Sequence, residues 1–296
     1  MTIAINQPWG PEVPLSRAKR AGKLRKLLRW WPLAILGIAA FAAAFPYLLA
    51  PLNPDLTHLN ARLQGPGFRA DGLKFLLGTD DLGRDVLSRV IWGVRVSVVV
   101  ATTAVFAAGV FGGAMGIIAG VRKRILGPVI MRIADMVLSI PFFLLAILVV
   151  AALGPNLRNL VIVLALVRWP RYARVAYAQT LEASEREFVR AAVALGARQL
   201  RVVRRHILPE VLPALVVIAT LEVGLMVIYE AALSFIGLGV QPPTPSWGSM
   251  LSTGQQFVAS AWWIATFPGL ALFLLVVAVN RLGDLIRDLL DPKGRI

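Results

Sequence analysis

The chain has 296 residues, 57% of them hydrophobic and 16% charged, against roughly a quarter charged in an ordinary soluble domain; with a mean hydropathy of +0.71, this excludes a typical soluble enzyme. The absence of cysteine and the presence of only two histidines exclude disulfide frameworks, thiolate or His-rich metal sites and cysteine nucleophiles. The net charge of +15, from 31 Lys and Arg against 16 Asp and Glu, fits either nucleic acid or a membrane surface until the charges are placed along the chain.

Arg17, Lys19, Arg20, Lys23, Arg25, Lys26 and Arg29 open the chain with a basic run. Leu15 to Trp31 reads either as a basic amphipathic helix on the inner membrane face or as a tail that fixes topology. No charge occurs between Arg29 and Asp55, and Trp30 to Leu49 is long enough to cross the roughly 30 Å hydrocarbon core. It is taken as a retained first span rather than a signal peptide.

The following forty or so residues, with Pro51, Pro54, Gly65, Pro66 and Gly67, read as irregular external chain ending in Gly78 to Asp85. A helix capped by the acids Asp80, Asp81 and Asp85 then starts at Val86, and this explains the acids better than a metal site does. Val86, Leu87, Val90, Ile91 and Val94 predict an interfacial helix leading into span two. Val96 to Val121 and Met136 to Leu157 are uncharged and predict spans two and three.

Arg122, Lys123, Arg124 and Arg132 form one basic loop, and Arg168 to Arg205 holds nine Arg and no Lys. The positive-inside tendency puts both in the cytoplasm, so the chain must cross again between them. That fourth span is read at about Asn159 to Ala178, with Arg168, Arg171 and Arg174 at its cytoplasmic end, snorkelling or facing protein. Ser184 to Glu187 matches a capping box, predicting a helix from Ser184 to a stop at Gly196. A second short helix is predicted from Arg198 to Ile207, ended by Pro209.

Leu212 to Leu233 is span five and contains Glu222 and Glu230; Trp262 to Val279 is span six, and Gly237 to Ser260 between them carries no charge. Eight residues apart on a helix, the two glutamates lie about 80° and roughly 12 Å from one another. Both suit a central path, or pairing with a partner's cation. Trp247, Trp262 and Trp263 read as interfacial belt residues. Arg281, Arg287, Lys293 and Arg295 follow span six, so six spans with both termini cytoplasmic is the predicted topology, and the basic excess is spent on orientation rather than on nucleic acid.

Ala191-Ala192, three residues, Gly196, and then His206-Ile207-Leu208-Pro209 resembles the EAA-x3-G-x9-I-x-LP signature of binding-protein-dependent ABC importer permeases. Arg190 stands where the signature has Glu, and His206 where it has Ile. The ending Arg205 to Pro209 is similar to the Arg-His-Ile-Leu-Pro form of the dipeptide and oligopeptide branch. So are Leu77 to Asp80, Gly83 to Arg89, Leu233 to Gly239, Pro242 to Gly248, Asn280 to Asp284 and Leu289 to Pro292. The resemblance covers roughly Leu77 to Lys293.

The resemblance implies an all-α membrane protein of the type I ABC importer permease fold, with six transmembrane helices and a cytoplasmic coupling helix. Its parts would be a basic tail (1–29), a first span with external segment and interfacial helix (30–95), a permease core (96–280) containing the coupling segment 184–209, and a C-terminal tail (281–296). Ala191, Ala192, Gly196, Ala197, Arg198, Arg201, Ile207, Leu208 and Pro209 would form the ATPase-coupling site, with Arg204 and Arg205 as further polar contacts. Glu222 and Glu230 are the candidate path residues; no catalytic or metal-ligating residue is expected. The implied partners are a second, non-identical permease, two ABC ATPases and an external substrate-binding protein, in the lipid bilayer of a prokaryotic inner membrane and without nucleic acid. ATP and Mg would be used by the ATPases, and no cofactor by this chain, which lacks a G-x-x-x-x-G-K-[ST] loop. Nickel, glutathione or another small solute is the alternative cargo within the family. Outside it stand a self-contained secondary transporter, which would need inverted repeats and ion-binding carboxylates, and a membrane-embedded enzyme, which would need a polar cluster within the spans.

Overall fold

The computed structural model describes residues 15–70 and 72–290, with side chains for 30–70 and 72–288. The expected basic tail before 15, the charges after 290 and the amphipathic character of 15–29 therefore lie outside the described residues. Helix α1 runs unbroken over Leu15–Ala44, and a single turn, α2 (Pro46–Leu49), follows it.

The next segment is less irregular than its prolines suggest. A 3-10 turn at Leu59–Ala61 precedes an antiparallel hairpin, β1 (Phe68–Ala70) with β2 (Leu73–Phe75). Gly72, at φ +78° just before β2, takes the left-handed backbone that tight hairpin turns need. Helix α3 (Val86–Val121) then starts at Asp85, whose Oδ2 accepts from the Ser88 backbone N–H at 2.8 Å. Interfacial helix and span two are thus one continuous helix of 36 residues.

Asp80 is the hub of this end of the molecule. Its Oδ1 accepts from the backbone N–H groups of Leu82 and Arg84, both at 2.9 Å, and its Oδ2 accepts from Arg84 Nε at 2.7 Å and lies 3.6 Å from Arg89 Nε. Arg89 in turn donates to the Pro54 carbonyl at 3.0 Å, tying the segment to α3. Trp263 closes the hub by donating to the Thr79 carbonyl at 3.0 Å.

Residues 136–157 are not one straight span. Helices α4 (Leu126–Ser139) and α5 (Phe142–Leu153) meet at 93°. The cause is Pro141, which removes a helical donor and excludes Ile140, at ψ 125°, from the helical region. Helix α6 (Leu157–Glu185) carries Pro170 inside it and extends well beyond Ala178. Among the described residues three helices are long and apolar enough to cross a membrane, namely α3, Gln199–Phe235 and Trp263–Asp288, and the bent pair together makes a fourth. Trp30–Ala44 is a shorter apolar stretch, and α6 has the length but carries arginines.

Helices α3 and α6 run parallel and in close contact. A Cβ on Gly112 or Gly116 would strike the backbone carbonyl of Trp169 or of Ala173, and one on Gly120 would meet Thr180 Cγ2 at 2.5 Å. Small residues at four-residue spacing allow this approach, which supplies packing where lipid removes the hydrophobic drive between helices.

After α6 come α7 (Glu187–Ala194), α8 (Gln199–Val202), a π-helical turn at Val203–Ile207 and α9 (Leu208–Phe235). Two expectations fail here. Ser184 caps nothing: it sits inside α6 and returns its hydroxyl to the Thr180 carbonyl at 2.6 Å, while Arg186 is the boundary residue. Nor does Pro209 end a helix. The π-helical turn at Val203–Ile207 leads directly into α9 with Pro209 in its first turn, and Gln199–Phe235 runs on over 37 residues.

Helix α10 (Trp247–Gln255) starts at a capping box formed by Ser246 and Ser249 and packs against α9 and α11 (Trp263–Leu290). Helix α11 thus runs through Arg281 and Arg287, which the sequence assigned to a tail. Trp247 and Trp263 are not belt residues: they are 3% and 7% exposed, and Trp247 donates to the Val90 carbonyl at 2.9 Å. Trp262 remains half exposed.

Candidate functional site

Two polar features stand out, one inside the bundle and one at the end opposite Asp80. Inside, Glu222 on α9 is 1% exposed and faces Arg168 on α6. Arg168 donates through Nε to Oε2 and through Nη2 to Oε1, both at 2.7 Å. Nη1 of Arg171 lies 3.0 Å from the same Oε1. The Arg168 guanidinium also sits over the Tyr229 ring, 5.6 Å from its centroid, and Phe142 stacks on Tyr229 with ring centroids 4.0 Å apart. A bidentate guanidinium pair of this kind fixes orientation as well as supplying energy.

The arginines are therefore not at a helix end. Because α6 continues to Glu185, Arg168 and Arg171 lie inside the helix rather than at its end, and they face protein: the acid they meet is on the adjacent helix. Glu222 supplies it from within the same chain, not from a partner. Arg174, one turn on, pairs with Asp135 of α4 at 2.5 Å, and both are about half exposed.

Glu230 is fully buried, with one oxygen accepting from Ser97 Oγ of α3 at 2.7 Å and the other from Ser234 Oγ at 2.8 Å. Neither candidate path carboxylate is exposed in this conformation. The group of this cluster that reaches the surface is Arg171, 51% exposed, and Ser97 and Tyr229 were missed because nothing in their local sequence marks them.

The second feature is a knob made of α7, the turn at Gly196 and α8. Gly196 has φ +81°, and the Ala197 backbone N–H bonds to the Ala192 carbonyl at 3.0 Å, closing α7 in the manner that glycine permits. Val189, Val202 and Ile207 turn inward and pack on Ala176 of α6 and Val211 of α9. Ile207, 3% exposed, therefore holds the knob together and is not at its surface. Ala191, Gly196, Arg198, Arg201 and Pro209 are exposed, and Ala192, Ala197 and Leu208 are partly covered.

Around them Val193, Leu195 and Leu200 are 57%, 89% and 68% exposed. Apolar side chains presented outside the spans, beside a cavity of about 450 Å³ lined by Arg198, Leu200, Arg201, Arg204 and Arg205, form a surface suited to a protein partner. Arg186 braces the base of the knob through Glu210 at 3.0 Å, and Lys123 reaches Glu185 at 3.0 Å. That bond from Lys123 holds the exposed Glu185 carboxyl below its ordinary range.

Comparison with known proteins agrees with this architecture. Residues 112–296 match the family model of the binding-protein-dependent transport system inner membrane component. The chain is 41% identical over 257 residues to the di/tripeptide transport system permease protein DppC of Pseudomonas aeruginosa (strain UCBPP-PA14), covering 86% of this chain and 85% of that protein. It is 41% identical over 298 residues to the dipeptide transport system permease protein DppC of Alkalihalophilus pseudofirmus, covering 99% and 96%. Among solved structures, the inward-facing MetNI methionine ABC transporter aligns with a TM-score of 0.56 at 23% identity, over 69% of this chain and 96% of that one, which shows a shared fold. The chain belongs to the family of binding-protein-dependent transport system inner membrane components, the permeases of ABC importers.

Proposed function

We propose that this permease forms half of a translocation path for di- or oligopeptides, beside a second, non-identical permease, and is driven by two cytoplasmic ABC ATPases and fed by an external binding protein. Its cargo follows the relatives, which are di- and tripeptide permeases by name. The observation that carries the coupling half of the reading is the knob: an exposed apolar and arginine-rich face joined without a break to a membrane-crossing helix. In this reading the knob end and both termini are cytoplasmic, six segments cross the inner membrane, and the Asp80 end faces outward.

ATP and Mg belong to the ATPase partners, and this chain binds no cofactor. Ala191, Ala192, Gly196, Ala197, Arg198, Arg201, Leu208 and Pro209 meet the ATPase, and Ile207 supports them from beneath. When the ATPases close, the knob moves as a rigid body and the spans switch access.

Tagging the chain, extracting it gently from its native membrane and identifying by mass what accompanies it tests the assembly; labelled dipeptide uptake by the complex tests the cargo. Two phosphate-loop ATPases and a second permease are expected. A chain recovered alone or as a homo-oligomer, with subunit loss excluded by crosslinking, would make a self-contained transporter the better account.

A further inference from the structure

Resting on the peptide-importer reading, we infer that Arg171 is a carboxylate-binding post in the path, pairing in passing with the α-carboxylate of the peptide. Arg171 stands on α6 one turn past Arg168 and five residues before Ala176, where the knob packs, about 8 Å short of it along the helix. Within the span read over 159–178 a charged group is disfavoured against lipid, so its exposed face turns toward protein or a water-filled path. Half of the side chain is nevertheless uncovered by this chain.

The charges around it do not balance. Glu222 gives both of its oxygens to Arg168 in a bidentate pair and shares only Oε1 with Arg171. Among the described residues no other acid lies within 4.0 Å of Arg171. Arg174, equally exposed, has a carboxylate of its own in Asp135. The cluster of Arg168, Arg171 and Glu222 thus carries one net positive charge, and it is displayed at Arg171.

A carboxylate is the complementary ligand, and a guanidinium fork takes it in two hydrogen bonds. Every peptide has an α-carboxylate whatever its side chains, so this contact is blind to sequence. Glu222 tempers the attraction, which suits a path that must also release its cargo. The same net charge opposes a bare metal cation. An acidic side chain of the second permease is the other source of the same chemistry, and the experiment separates the two.

The whole transporter, with second permease, ATPases and binding protein, is reconstituted in liposomes, and labelled dipeptide uptake is measured together with ATP hydrolysis stimulated by loaded binding protein. Arg171→Gln leaves the Arg168–Glu222 pair intact, so the complex should assemble in normal yield and hydrolyse ATP within about twofold of wild type, while peptide moved per ATP falls about tenfold. Arg171→Lys should keep most of the transport. Unchanged uptake per ATP in Arg171→Gln overturns the inference. So does a parallel loss of assembly and hydrolysis, which would assign Arg171 to an acid on the partner permease. A wild-type complex that moves no peptide overturns the cargo reading, and the inference with it, before any variant is compared.

Discussion

Arg168 closes on Glu222 through two hydrogen bonds of 2.7 Å, one to each carboxylate oxygen, and so pins α6 to α9 across 54 residues of sequence. With the acid 1% exposed, removal of one partner strands a buried charge, at a cost on the order of 3 kcal/mol. Glu222→Gln should therefore lower the thermal aggregation midpoint of the purified complex clearly. The double replacement Arg168→Met with Glu222→Leu should recover much of it, because an apolar pair of similar volume strands nothing. Equal midpoints for wild type and Glu222→Gln would show that the pair does not hold the helices.

The neighbouring glycines of α3 should respond differently to the same change. A Cβ at Gly112 meets the Trp169 carbonyl, which cannot yield without moving α6, whereas at Gly113 it meets only Leu215 Cδ1 at 2.9 Å, the end of a flexible side chain. Gly112→Ala should cost roughly 1–3 kcal/mol, and Gly113→Ala much less. Expression and monodispersity in detergent check this, and equal tolerance at both positions would refute the close approach.

At Gly196 the constraint is the backbone alone, since a Cβ there has nothing within 4 Å yet φ is +81°. Gly196→Val should abolish ATP-driven uptake while the chain still inserts, because a β-branched residue resists this conformation by about 1–2 kcal/mol or more. Gly196→Asn, which tolerates it, should retain partial uptake. Normal transport by the valine variant would remove the turn from the coupling mechanism.

Asp80→Ala deletes the acceptor of four contacts at once and leaves Arg84 and the 5%-exposed Arg89 without their closest acid. The segment of residues 51–85 should then become sensitive to protease added to the Asp80 side of membrane vesicles, with charged hydrogen bonds of about 1.5–3 kcal/mol lost. Protection equal to wild type would show that Arg89 and Pro54 suffice.

The long apolar blocks made α3, α9 and α11 legible, since lipid selects for composition over a length that needs no partner to be read. Motif spacing located Gly196 and the knob, and the acid before Val86 announced the cap at Asp85. Pro141 was equally visible, but counting charges passes over a proline, so the 93° break was read as one span. Asp71-Gly72 signalled the hairpin and was taken for loop. Ser184 was ambiguous by chemistry, because the same hydroxyl that caps a helix can also bond back to the carbonyl four residues earlier. Arg168 with Glu222, and Ser97 with Glu230, 133 residues apart, have no local signature. Only the bundle brings them together, and Arg171 with them.

The unbroken run from Gln199 to Phe235 is a lever some 55 Å long, and the clasp of Arg168 on Glu222 is the natural fulcrum. It divides the beam unequally, about 35 Å on the knob side and about 20 Å on the far side at 1.5 Å per residue. A tilt of about 5° would carry the knob roughly 3 Å one way and the far end a little under 2 Å the other way over those lengths. In such a rocking motion the geometry would trade travel for force, turning a wide stroke at the knob into a shorter and stronger one at the opposite face.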